Sequence, residues 1–306
     1  MRKLKAELIL FFIAVIWAGT FVIIKITLTE LPPFYFLTLR FLTASVLFFL
    51  LVFKKLTRTN RQEIEAGLIL GILLFAGFAS QTSGLVYTTA SNSALITGVN
   101  LLIVPFAQYF IIKRKVGLEN WIGVAVVLIG LFLLTNPAVN GFNKGDLITL
   151  ICAFAWAFYI IYLDVFSRKY NLYVLVLTQF ITVTLFSFSF ALAFENAGDI
   201  IISSISILGL LYTGILATLL ATFLGNKYQK DTSPIRAALI FTIEQPAAVI
   251  LAIIFLKDKF ILLQLVGVLL MISGILFSET FEYIKSAYLK SPLKGGKNGT
   301  ANELNE

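Results

Sequence analysis

Histidine is absent from the 306 residues, and cysteine occurs once, at Cys152. A disulfide within the chain is therefore excluded, and a Cys/His metal site has almost nothing to be built from. Charge is scarce as well, at 13% against the roughly 25% usual in soluble domains. No Lys/Arg patch interleaves with aromatics in a soluble stretch, so the net charge of +8 does not read as a nucleic-acid footprint. The sequence contains no HExxH, no G-x-S-x-G and no GxxxxGK[ST], which removes the usual zinc-hydrolase, serine-hydrolase and ATP-driven chemistries. No cofactor and no metal are expected.

Hydrophobic residues make up 59% of the chain, a composition suited to lipid. A helix needs about 20 apolar residues to cross the hydrocarbon core. Ten segments qualify or nearly do: Glu7–Leu28, Pro33–Phe53, Ala66–Val86, Ala94–Ile112 and Trp121–Leu134, then Asp146–Phe166, Tyr173–Phe194, Ile205–Gly225, Pro234–Leu256 and Phe260–Phe277. The first outruns a signal-peptide core and reads as an uncleaved span. The expectation is an all-α integral membrane protein. Of the 24 Lys and Arg residues, 19 fall on the side of the N-terminus, and only Lys144, Lys257 and Lys259 fall opposite. The positive-inside rule then places both termini in the cytoplasm, with the chain in the cytoplasmic membrane. Beyond Ser291 the tail is polar and Gly/Asn-rich, and disorder is expected there.

The second half repeats the first. "ELILFFIAVIWA" from Glu7 matches "DLITLICAFAWA" from Asp146, setting Trp17 on Trp156 at an offset of 139; Arg40 falls on Gln179 at that offset. "ALI" at Ala94 recurs at Ala238, and Gly123 and Gly130 recur as Gly267 and Gly274, at an offset of 144. Five spans per half is an odd number, so the second copy is inverted. The expected organisation is one repeat over residues 1–140, an inverted one over 141–284 and a cytoplasmic tail over 285–306. Inverted repeats typify secondary transporters that bind substrate near the midplane. The alternative is a duplication kept only for packing.

Several stretches resemble the EamA type of the drug/metabolite transporter superfamily: "IWAGTF", "LRFLTA", "TASNSALITGVNLLIVP", and the paired "WIGVAVVLIGLFLL" and "LVGVLLMISGIL". The resemblance implies ten helices and a carrier of small metabolites, often amino acids or related compounds, frequently outward. The chain departs from the family pattern at Arg114, where an acid is common, and at Gln245, which separates Glu244 from Pro246.

Charged side chains within spans are costly and mark function or pairing. Lys25 is close enough to its span's end to snorkel, and Asp164 has Arg168 one turn on. Arg40 sits roughly 10 Å in, suited to an anionic group or an acid partner. Glu244 is the deepest, and is expected to be protonated, paired with Arg40, or turned to an aqueous cavity. In a chain without histidine it is the candidate for proton coupling. Pro246 should break its helix near Thr242, and Pro105 should do the same near Leu101. Asn100 aligns with Glu244 at the 144 offset. The predicted substrate-binding set is Trp17, Arg40, Asn100, Trp156, Gln179, Glu244 and Gln245, with the two tryptophans as cavity walls or core. Gly19, Gly71, Gly77, Gly123, Gly130, Gly267 and Gly274 read as close helix contacts, with subunit contact in a homodimer as the alternative. The function expected is a secondary transporter; the alternative is a non-transporting receptor or assembly subunit, which would also sit in lipid, and an intramembrane enzyme lacks a nucleophile–base set.

Overall fold

The computed structural model describes residues 2–56, 59–135, 143–257, 262–263, 265–274, 277 and 281. Among them every regular element is helical. In chain order these are α1 (Arg2–Thr27), α2 (Pro33–Val52), α3 (Arg61–Tyr87), α4 (Ala90–Thr97), α5 (Asn100–Ala107), α6 (Leu118–Thr135) and α7 (Lys144–Lys169). They continue as α8 (Leu172–Phe194), α9 (Ser204–Leu211), α10 (Ala221–Tyr228), α11 (Pro234–Phe241), α12 (Glu244–Leu256) and α13 (Leu265–Gly274). Among the described residues, eight helical stretches are long and apolar enough to cross a membrane, with α4–α5, α9–α10 and α11–α12 each counting as one; α6 and α13 contribute shorter apolar helices. Phe12, Leu51, Phe110 and Leu192 are all more than 60% exposed, as a lipid-facing surface requires. The chain is a multi-pass membrane protein.

Polar caps set where helices begin. Asn60 and Glu63 form a capping box on α3, and Asn143 and Asp146 form one on α7, each satisfying otherwise orphaned N–H groups. Both helices therefore start earlier than hydropathy alone suggests. The stretch through α9 and α10 also runs on to Asp231, past the expected end at Gly225. Asn226 and Gln229 are 1% exposed because their amides bond inside the protein rather than to water.

Contacts define two ends. At one, α1, α3 and α11 begin and Glu7 pairs with Arg236 across 2.9 Å; this is the basic end. At the far end Glu195 accepts from the Phe34 and Tyr35 N–H groups that open α2, at 2.7 and 2.9 Å. Glu30 caps α9 there through Ser203 and Ser206. Lys25 does not snorkel. Its ammonium closes α3, donating to the carbonyls of Leu85 at 2.5 Å and Thr88 at 2.8 Å, where the negative end of the helix dipole favours a cation.

Glycines bring helices together. A Cβ on Gly71 would lie 2.6 Å from Thr182 Cβ of α8, and one on Gly77 would lie 3.3 Å from the Trp156 ring of α7. Gly130 of α6 meets the Gly267 carbonyl, and Gly274 of α13 meets the Gly123 carbonyl. The glycine stripes are thus used within the chain.

Two chain breaks carry the central geometry. The helix stops at Thr97 and resumes at Asn100; it stops at Phe241 and resumes at Glu244. The break at Thr242–Ile243 matches the expectation from Pro246, which lies in the first turn of α12 where its missing N–H costs nothing. Pro105 acts differently from the expectation, because α5 runs straight through it. The first break instead falls at Gly98–Val99, where Gly98 lies under Gln245: a Cβ there would be 3.1 Å from Gln245 Cδ. Packing between the two breaks, not proline, places this one. The tail from residue 285, Asp258 and much of the expected tenth span lie outside the described residues.

Candidate functional site

Between the breaks and the basic end lies a cavity of which about 40 Å³ admits the centre of a water molecule. That is room for a few waters in a narrow cleft. Its apolar walls are aromatic: Trp17, Phe78, Trp156, Tyr159 and Phe241. The rings interlock, with centroids 5.2 Å apart for Trp17–Phe241, 6.1 Å for Trp17–Trp156, 5.1 Å for Phe78–Trp156 and 5.5 Å for Trp156–Tyr159. Trp17 is held by donating to the Ala217 carbonyl at 2.8 Å. Ala217 lies in a π-helical stretch, Tyr212–Leu220, a geometry that shifts carbonyls away from their usual partners.

The polar wall comes from both breaks. Asn100 opens α5 and Glu244 opens α12, each turned to the cavity, with Gln245 beside them. Gln81 donates to Thr97 at 3.1 Å. Glu244 is 9% exposed and, among the described residues, is the only ionisable acid or base in the lining with a formal charge. Two further lining residues carry buried oxygens, Gln245 Oε1 and Thr222 Oγ1, without a hydrogen-bond partner among the described residues.

Five of the seven residues picked from sequence, Trp17, Asn100, Trp156, Glu244 and Gln245, line this cavity; Gln179 and Arg40 do not. Gln179 stands one layer behind. It accepts from the Tyr159 hydroxyl at 2.8 Å and donates to Asn226 Oδ1 at 3.0 Å, while Asn226 donates back to Tyr159 at 2.8 Å. This closed ring of three fixes two lining side chains. Arg40 is fully buried behind Phe78, its guanidinium carbon 4.4 Å from that ring's centroid and its Nε donating to Thr218 at 2.7 Å. Its Nη1 and Nη2 have no hydrogen-bond partner, and no ion pair joins it to Glu244 among the described residues. The expected Arg40–Glu244 pair is thus replaced by stacking on an aromatic face. Sequence reasoning missed Asn226 and Gln229, although with Thr222 they share one face of a helix at spacings of four and three.

Each end of the cavity is bridged. At the far end the Thr88 hydroxyl donates to Asp146 at 2.5 Å, and the α3 and α7 backbones touch at Gly84 and Gly145. At the basic end Thr232 donates to Glu7 at 3.3 Å, Arg168 reaches the Thr232 carbonyl at 3.5 Å, and Arg168 pairs with Asp164 at 2.6 Å. Thr88 and Thr232 are 144 residues apart, while Glu7 and Asp146, like Lys25 and Asp164, are 139 apart. The two closures use corresponding positions, and the far one is the tighter.

A helical membrane domain with a polar-ended, aromatic-walled cavity has the form of a membrane transporter. The chain belongs to the EamA-like transporter family, which it matches twice, over residues 4–136 and 143–280. An uncharacterized transporter of Archaeoglobus fulgidus is 31% identical over 276 residues, covering 90% of this chain and 86% of that protein. The uncharacterized inner membrane transporter YedA of Escherichia coli K12 is 29% identical over 162 residues, covering 50% of this chain and 51% of its own. A protein of known crystal structure shares the fold at a TM-score of 0.75 and 16% identity, covering 90% of this chain and 98% of that one.

Proposed function

We propose that this chain is a secondary transporter of the cytoplasmic membrane, with both termini in the cytoplasm, moving small metabolites such as amino acids or related compounds outward by alternating access. Ten helices in two inverted five-helix repeats would underlie it. Support comes from the helix breaks at Thr97–Asn100 and Phe241–Glu244, and from the left-handed caps Lys113 and Lys257; each pair is separated by 144 residues. The observation that carries the reading is the cavity itself: a charged residue at mid-depth, between two corresponding closures, with the far closure shut. Glu244 serves as the proton-coupling group, exchanging its proton as substrate binds and leaves.

The test is release of a metabolite mixture from reconstituted vesicles across an imposed pH gradient. Wild type should release particular compounds in a gradient-dependent way, and Glu244→Gln should lose the dependence on the gradient. Equal release from protein-free vesicles would end the transporter reading. Persistent gradient dependence in the variant would move the proton elsewhere.

A further inference from the structure

We propose that the group recognised in the central cavity is a monovalent organic cation, an alkylammonium on an apolar or aromatic body. This rests on the carrier reading and names its substrate class. Three observations support it. Among the described residues Glu244 is the only charged one in the lining, and a carboxylate held in a narrow cleft away from bulk water favours a cationic partner strongly. The same cavity is lined by the aromatic rings of Trp17, Trp156 and Phe241, with Phe241 three residues before Glu244 across the helix break. Aromatic walls around a carboxylate are the chemistry that holds ammonium groups. Two lining residues, Gln245 (3% exposed) and Thr222, also carry buried oxygens, Oε1 and Oγ1, that have no hydrogen-bond partner among the described residues and that an ammonium N–H could satisfy.

The nearest deep cation does not oppose this placement. Arg40 lies outside the lining, stacked on Phe78, so the aromatic walls of α1, α7 and α11 are left to the ligand. An anionic ligand would need Arg40 to displace Phe78 and would meet Glu244 first.

Three compounds sharing a phenyl body separate the alternatives: 2-phenylethylammonium, the neutral 2-phenylethanol and the anionic 3-phenylpropanoate. Each is titrated calorimetrically into the full chain in nanodiscs, with empty nanodiscs subtracted. The cation should bind at least about tenfold more tightly than the alcohol, and the anion weakest. Glu244→Gln should level cation and alcohol, whereas Glu244→Asp should keep the preference. The inference is overturned if the alcohol or the anion binds as tightly as the cation, or if Glu244→Gln keeps the preference. Should Glu244→Gln fail to fold, the wild-type series and Glu244→Asp decide alone. Cation-selective binding without release from vesicles would overturn the carrier reading and leave this site standing. Release of other solutes without cation selectivity would overturn this inference and leave the carrier reading standing.

Discussion

Glu244 and Arg40 show how far a single residue's position can be read. Both were marked by the cost of a charge in lipid, and both are buried. Their partners were invisible to sequence, because periodicity gives depth along a helix but not the azimuth at which side chains from α2 and α12 meet. Since Arg40 stacks on Phe78 instead of pairing with Glu244, the losses in transport from Arg40→Gln and Glu244→Gln should be additive in the double variant. A strong coupling in a double-mutant cycle would contradict the geometry. Gln179 acts behind the wall. Gln179→Leu leaves the Tyr159 hydroxyl without its acceptor and Asn226 Oδ1 without its donor, at a cost of about 1–3 kcal/mol per orphaned group. Thermal unfolding in detergent should show that loss, while the substrate KM changes far less than it does in Trp17→Ala.

At the scale of elements, the spans were legible because twenty apolar residues have few other uses, whereas their ends were not. Caps such as Asn60 and Asn143 extend helices into polar sequence, and buried Asn226 and Gln229 carry a helix past the point where hydropathy falls. The glycine stripes were legible as close contacts, but which helices they join was not. Gly130 faces the Gly267 carbonyl and Met271, with a Cβ falling 2.6 Å from that oxygen. Gly130→Ala should therefore force α6 and α13 apart and lower the unfolding temperature. Gly198→Ala, whose nearest neighbour is at 3.4 Å, should leave the temperature unchanged. A homodimer through these stripes would require a surface that the chain already covers with itself.

For the whole molecule, the contacts at the two ends are what the proposed carrier would open and close in turn. At the far end, Gly84 and Gly145 let α3 and α7 touch, a Cβ on Gly145 lying 2.5 Å from the Gly84 carbonyl. Gly145→Val should prop that end open. In a Cys152→Ser background, an Asn100→Cys probe should then react with an impermeant maleimide from the far side, at least several-fold faster than without the valine. Equal labelling would mean the closure lies elsewhere. The sequence by itself determined that the chain lives in lipid and roughly where its spans run, and it singled out Glu244 by the cost of a charge there. These follow from hydropathy and spacing, which are local and additive along a chain. Only the tertiary structure decided that Arg40 sits behind Phe78, that Gln179 supports the wall without forming it, and that Gly98 breaks a helix beneath Gln245. Those outcomes depend on which faces meet across helices distant in sequence, and the side-chain contacts that fix them do not exist until the helices pack.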